Sequence, residues 1–134
     1  MTESKWLLIA DDDPDDIEML TDEILRQDAG VRIKSFKDGR ALLDFLGSAD
    51  PGMTPAAVVL DYNMPILTGF EVLQSLRVQL RFKELPIVMW STSGMAVQVN
   101  DCFEAGATDY LAKPIAPREL ERIVKIILSH CRFS

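Results

Sequence analysis

The sequence predicts an α/β fold: a doubly wound, five-stranded parallel sheet with five helices on its two faces. Three observations carry this. Short apolar runs alternate with amphipathic helical spacing five times along the 134 residues. The run Ala57–Leu60 is apolar at every position, the mark of a strand covered on both faces. The connections between strands carry helix signals, and such crossovers join parallel strands and place helices on both sides of the sheet.

The elements follow in order. Trp6–Ala10 is the first strand. Asp13 before Pro14 is an N-cap followed by proline at the first helical position. Ile17, Leu20, Ile24 and Leu25 keep the stripe of a helix that Gly30 closes. Val31–Phe36 is the second strand, and Asp38 caps a helix carrying Leu42, Phe45 and Leu46. Ser48–Pro55, punctuated by Pro and Gly, is a loop. After the third strand, Ala57–Leu60, Thr68 and Glu71 form a capping box for a helix with Phe70, Leu73, Leu76 and Leu80. Pro86–Trp90 is the fourth strand. Ser93 caps a helix bearing Val99, Cys102 and Phe103, which Gly106 ends. Asp109–Ala112 is the fifth strand. The last helix starts near Pro117, shows Leu120, Ile123, Val124, Ile127 and Leu128, and runs to about His130.

The bulk numbers fit one domain over residues 1–134 with no effector domain. At 48% hydrophobic residues the chain can bury a real core. Its 21 acidic and 14 basic side chains leave a net charge of −7, which argues against direct nucleic-acid contact. Cys102 and Cys131 read as free thiols, not a disulfide framework. There is no signal-peptide pattern, and the apolar runs are too short for a bilayer. A cytoplasmic protein is expected.

In an open parallel sheet, ligands bind beyond the carboxyl ends of the strands. After the first strand come Asp11, Asp12 and Asp13; after the third, Asp61 and then Asn63; after the fourth, Ser91 and Thr92; after the fifth, Lys113 and Pro114. In the five-stranded order 2-1-3-4-5, a common one for doubly wound sheets, strands one and three are neighbours, which would bring Asp11, Asp12 and Asp61 together. Three carboxylates in one crevice repel unless a cation sits among them, and a hard oxygen-seeking ion such as Mg²⁺ fits. With the Lys113 ammonium and the Ser91 hydroxyl, these groups describe a phosphoryl-binding site. The plainer readings are a helix N-terminus for the acidic run, which suffices for Asp13, and ordinary aromatic packing for Tyr110. His130 suits a helix C-terminus, and Trp90 is expected in the core.

The segments LLIADDD, VVLDYNMP, MWST and DYLAKP, each ending the right strand, resemble the signature of response-regulator receiver domains, with the flavodoxin-like fold that implies. The likeness covers the chain from Trp6 to about His130. It implies that Asp61 is the phosphoacceptor and that Mg²⁺, with Mn²⁺ as an alternative, sits on Asp11, Asp12, Asp61 and the Asn63 backbone carbonyl. It implies that Ser91, Thr92 and Lys113 bind the phosphoryl group, that Tyr110 is the switch aromatic, and that Lys113–Pro114 is cis. Asn63 and Ser93 would tune the lifetime of the phosphorylated form. The implied partners are a histidine kinase or phosphotransfer protein as donor and a downstream protein as target. The protein's own chemistry would be limited to its phosphorylation and slow autodephosphorylation. The Asp-Pro-Asp-Asp run is similar to that of small regulators paired with bacterial phytochromes. A homodimer through helix four, strand five and helix five would use Val97, Val99, Ile126 and Phe133. A rival reading comes from the Asp-x-Asp spacing of Asp11 and Asp13, which resembles haloacid-dehalogenase-type phosphatases; Pro14 and Asp15 depart from that pattern.

Overall fold

The computed structural model describes residues 5–50 and 53–132. Its elements are β1 (Trp6–Ala10), α1 (Pro14–Gln27), β2 (Arg32–Phe36), α2 (Gly39–Ser48), β3 (Ala57–Asp61) and α3 (Gly69–Arg77). A short 3₁₀ turn (Leu80–Phe82) then leads to β4 (Ile87–Ser91), α4 (Ala96–Glu104), β5 (Asp109–Ala112) and α5 (Pro117–His130). The strands form one parallel sheet ordered β2-β1-β3-β4-β5.

Alternation along the strands divides the core into two. Leu7, Ile9, Val59, Val88 and Trp90 face α1 and α5, where they meet Leu20, Ile24, Ile123, Val124 and Ile127. Leu8, Ala10, Val58, Leu60, Ile87 and Met89 face the other way, against Leu42, Leu46, Leu73, Leu76 and Cys102 from α2, α3 and α4. β3 and β4 are buried at every position, as central strands covered on both sides must be. β2 is the edge strand beside β1. Arg32, Lys34 and Ser35 are exposed on it while Phe36 is buried.

The strand register sets the site. Ala10 pairs with Leu60, so Asp11 and Asp61 come out level. Asp61 pairs with Trp90 and Ser91 with Ala112, which puts Lys113 one residue past Ser91. The Lys113 N–H donates to the Ser91 carbonyl at 2.9 Å and holds that rim. The Thr68–Glu71 capping box forms, and Asp13 and Asp38 cap α1 and α2 through their side chains.

Several local expectations are corrected. α1 ends at Gln27, where the Asp28 N–H takes the Ile24 carbonyl at 2.8 Å. Gly30 lies in the following turn and donates to Asp28 Oδ1 at 3.0 Å. α3 stops at Arg77, and Leu80 opens the 3₁₀ turn with its side chain in solvent. Gln79 is extended and breaks the helix before that turn, and the Arg77 guanidinium donates to the Gly106 and Phe82 carbonyls. Ser93 does not cap α4: the helix begins at Ala96 behind Met95, without a side-chain cap, and the Ser93 hydroxyl, upstream of that start, donates to Gln98 Oε1 at 2.7 Å. Leu25 and Phe103 lie outside the buried stripes. Residues 51–52 of the expected loop and Phe133 lie outside the described residues. No peptide among the described residues is cis, so Lys113–Pro114 is trans; a tertiary X–Pro amide prefers that form slightly.

Candidate functional site

The loops after β1, β3, β4 and β5 bound an open crevice of about 530 Å³ lined by Asp12, Asp16, Asp61, Asn63, Thr92 and Lys113, among others. Asp11 is fully buried and Asp61 nearly so, while Asp12 stands at the mouth. One carboxylate oxygen from each of these three lies within 4.8 Å of those from the other two. Local hydrogen bonds aim the two buried members: Asp11 Oδ1 accepts the Asp13 N–H at 2.9 Å, and Asp61 Oδ1 accepts the Asn63 N–H at 3.3 Å. The loop after Asp61 turns tightly. Ile66 has φ of 71° at the centre of a γ-turn closed by the Leu67 N–H and the Pro65 carbonyl at 2.8 Å.

Lys113 is the counter-charge. Its ammonium is 2.8 Å from Asp16 Oδ2, 2.9 Å from Asp11 Oδ2 and 3.5 Å from Asp61 Oδ2, and lies 5.2 Å from the Trp90 ring centroid. Burial alone would pull the lysine pKa down; Asp16 and Asp11 outweigh it and hold the pKa well above the ordinary range. Burial pushes the Asp61 carboxyl up to about 7, Asp11 adds to the rise, and Lys113 opposes it without cancelling it.

This donor set fits a hard divalent cation. Three carboxylate oxygens converge, and among the described residues they share a single nearby cation, the Lys113 ammonium, with Asp16. A carboxylate lifted to about 7 by burial and a like charge is one that a cation would bring back to its charged form. Bound Mg²⁺ or Mn²⁺ would act as a charge clamp and Lewis acid for phosphoryl oxygens.

The other expected residues fall around this centre in two groups. Ser91 is fully buried and its hydroxyl accepts the Ser93 N–H at 3.1 Å; Thr92 is exposed on the rim, as is Asn63. Tyr110 is half-buried on β5 and donates its hydroxyl to the Ser93 carbonyl at 2.7 Å. Both main-chain polar groups of Ser93 are therefore held, one by Ser91 and one by Tyr110. Asp13 is turned outward to cap α1 through the Asp15 N–H at 2.9 Å, and the carboxylate trio is completed by Asp61, so the Asp11/Asp13 pairing of the phosphatase reading does not form.

Asp16 is the residue that sequence reasoning missed. It stands four residues before Leu20 and eight before Ile24, so it shares their inward face of α1. A carboxylate in that stripe was the available signal.

Comparison with known proteins agrees with this geometry. The family model described as "Response regulator receiver domain" matches residues 7–125. Two-component response regulator ORR5 of Oryza sativa subsp. japonica is 34% identical over 97 residues, covering 72% of this chain and 70% of that protein. The Mn²⁺-bound form of response regulator Rcp1 superposes with a TM-score of 0.80 at 26% identity, covering 92% of this chain and 91% of that one. Chemotaxis response regulator CheY4 of Vibrio cholerae gives a TM-score of 0.77 at 29% identity, covering 94% and 99%. No helix among the described residues is long and apolar enough to cross a membrane. With the sheet order, the carboxylate trio and the family match in agreement, the chain belongs to the response regulator receiver domains of two-component systems.

Proposed function

We propose that this receiver is a phosphorylation switch that takes a phosphoryl group on Asp61 from a histidine kinase or phosphotransfer protein, with Mg²⁺ held by Asp11, Asp12, Asp61 and the Asn63 carbonyl. The carrying observation is the Asp61 carboxylate, nearly buried between Asp11 and Lys113 at the crevice floor. An Asp61 oxygen attacks phosphorus, a P–O bond forms as the donor's P–N bond breaks, and the freed imidazole nitrogen takes up a proton. Lys113 and the Ser91 hydroxyl receive the oxygens of the transferred group, with Thr92 at the rim. Water later cleaves the acyl phosphate. Asn63 and Ser93 flank its approach and set the lifetime, since neither is a strong general base.

Acetyl phosphate tests this. The wild type should gain one phosphoryl group, mapped to Asp61, with Mg²⁺ or Mn²⁺ and not with chelator. Undiminished labelling of Asp61→Asn would rule the assignment out.

The output follows from Ser93. A phosphoryl group brings about −1.5 to −2 charges and three acceptor oxygens. When the Ser91 hydroxyl turns toward it, the Ser93 N–H loses its acceptor, and inward rotation of Tyr110 releases the Ser93 carbonyl. The face of α4, β5 and α5 then changes, and with it the binding of a downstream protein. A homodimer through this face, with Val97 exposed and Val99 and Ile126 half-buried, belongs to the same proposal; light scattering with and without beryllofluoride tests it. Tyr110→Phe should loosen the loop before α4 even without phosphoryl group. Losing one hydrogen bond of about 1 kcal/mol should speed amide exchange there about five-fold. Unchanged exchange across 92–98 would show that the bond does not hold the loop.

A further inference from the structure

The Lys113 ammonium is closer to Asp16 than to Asp61, at 2.8 Å against 3.5 Å. Asp16 is in the first turn of α1, where a carboxylate offsets the helix dipole, and Asp15 beside it does no more than that, since its side chain is exposed. Asp16 differs. It turns into the crevice and is one-quarter exposed, and Lys113 is one-tenth exposed. The contact joins residues 97 apart in sequence, across the mouth from α1 to the end of β5.

We infer that Asp16 is a positioning residue that holds Lys113 back from Asp61 until a phosphoryl group competes for it. This rests on the phosphoryl-switch reading above. With Asp61 bare, Asp16 and Asp11 share the ammonium. Asp16 thereby keeps the lysine's charge from settling on Asp61 and leaves that carboxylate for the cation. A phosphoryl group on Asp61 offers Lys113 a stronger acceptor, and Asp16 is released toward solvent. Asp16 thus favours cation loading and opposes phosphoryl capture.

That pair of opposite effects separates it from a structural aspartate, whose loss would weaken both. In Asp16→Asn, Mg²⁺ alone should bind more weakly, because Lys113 then leans on Asp11 and Asp61. Beryllofluoride, measured at saturating Mg²⁺, should bind more tightly, by about five-fold for a partly screened ion pair. Asp15→Asn, which removes the same charge one residue away, should change neither by as much, and Asp16→Glu should stay near wild type. In unmutated protein, the Asp16 carboxyl carbon resonance should shift when beryllofluoride is added at constant Mg²⁺, and that of Asp15 should not. This keeps the inference falsifiable if Asp16→Asn folds poorly. Joint weakening of both ligands, equal effects from Asp15→Asn, or an unmoved Asp16 resonance would overturn the role of Asp16 alone. Failure of wild type to take up beryllofluoride at saturating Mg²⁺ would overturn the switch reading, and this role with it.

Discussion

Asp61→Asn should make the metal-free protein more stable than wild type at pH 8, and should not do so at pH 4. Asp61 titrates at about 7 in the folded chain, against 3.8 for an unperturbed aspartate. Between those values the native state holds a proton that the unfolded state has released. The contribution of Asp61 to wild-type stability therefore falls as pH rises through this window, the reverse of an ordinary paired carboxylate. Asparagine carries no charge to bury. Lys113 loses little by the change, since Asp16 and Asp11 remain at 2.8 and 2.9 Å. The expected gain at pH 8 is about 2–4 kcal/mol, taking the whole shift at 1.36 kcal/mol per unit as the ceiling. Urea unfolding in chelator, from pH 4 to 8, reads it. Adding Mg²⁺ at pH 8 should narrow the gap, because the cation stabilises the wild-type carboxylate. A difference independent of pH would contradict the burial of a charged Asp61.

Gly69→Ala should cost about 3 kcal/mol and also lower labelling of Asp61. Gly69 is the first residue of α3, and its N–H donates to the Tyr62 carbonyl at 2.8 Å. A Cβ there would lie 2.2 Å from the Asp61 carbonyl oxygen and 2.9 Å from the Met89 methyl. In an open helix, alanine would gain up to about 1 kcal/mol over glycine. Here the obstructing atom is backbone, so α3 or the end of β3 must move, and overpacking costs of this kind run at about 1–3 kcal/mol or more. Because the displaced residue is Asp61 itself, activity should fall further than stability predicts. Gly47→Ala is the contrast: nothing lies within 4 Å of its Cβ, so that change should be neutral or stabilising in α2. Equal urea midpoints for the two variants would show that the α3–β3 approach is soft.

The strands and the carboxylate trio were legible because each rests on short-range pattern plus one rule of topology. β3 reads as buried from Ala57–Leu60 alone, and the order of the sheet brings Asp11 beside Asp61 with no further information. The capping box at Thr68 and Glu71 is equally local. What escaped depends on side-chain partners that no apolar or capping pattern names. Ser93 looks like a cap, but α4 starts only at Ala96 and the Ser93 hydroxyl reaches Gln98. Leu80 continues a helical stripe until the extended Gln79 breaks it. Asp16 looks like one more acid at a helix start until β5 delivers Lys113 to it.

The cationic edge of the sheet has a consequence of its own. β2 pairs with β1 alone, so its outer side is a row of backbone groups open to another strand. Arg32 and Lys34 stand exposed along that row. A second copy laid against it would bring like charges together, and that repulsion opposes edge-to-edge pairing. In a chain whose excess charge is acidic, these cations stand at an edge where sheet-to-sheet pairing would otherwise find open backbone groups.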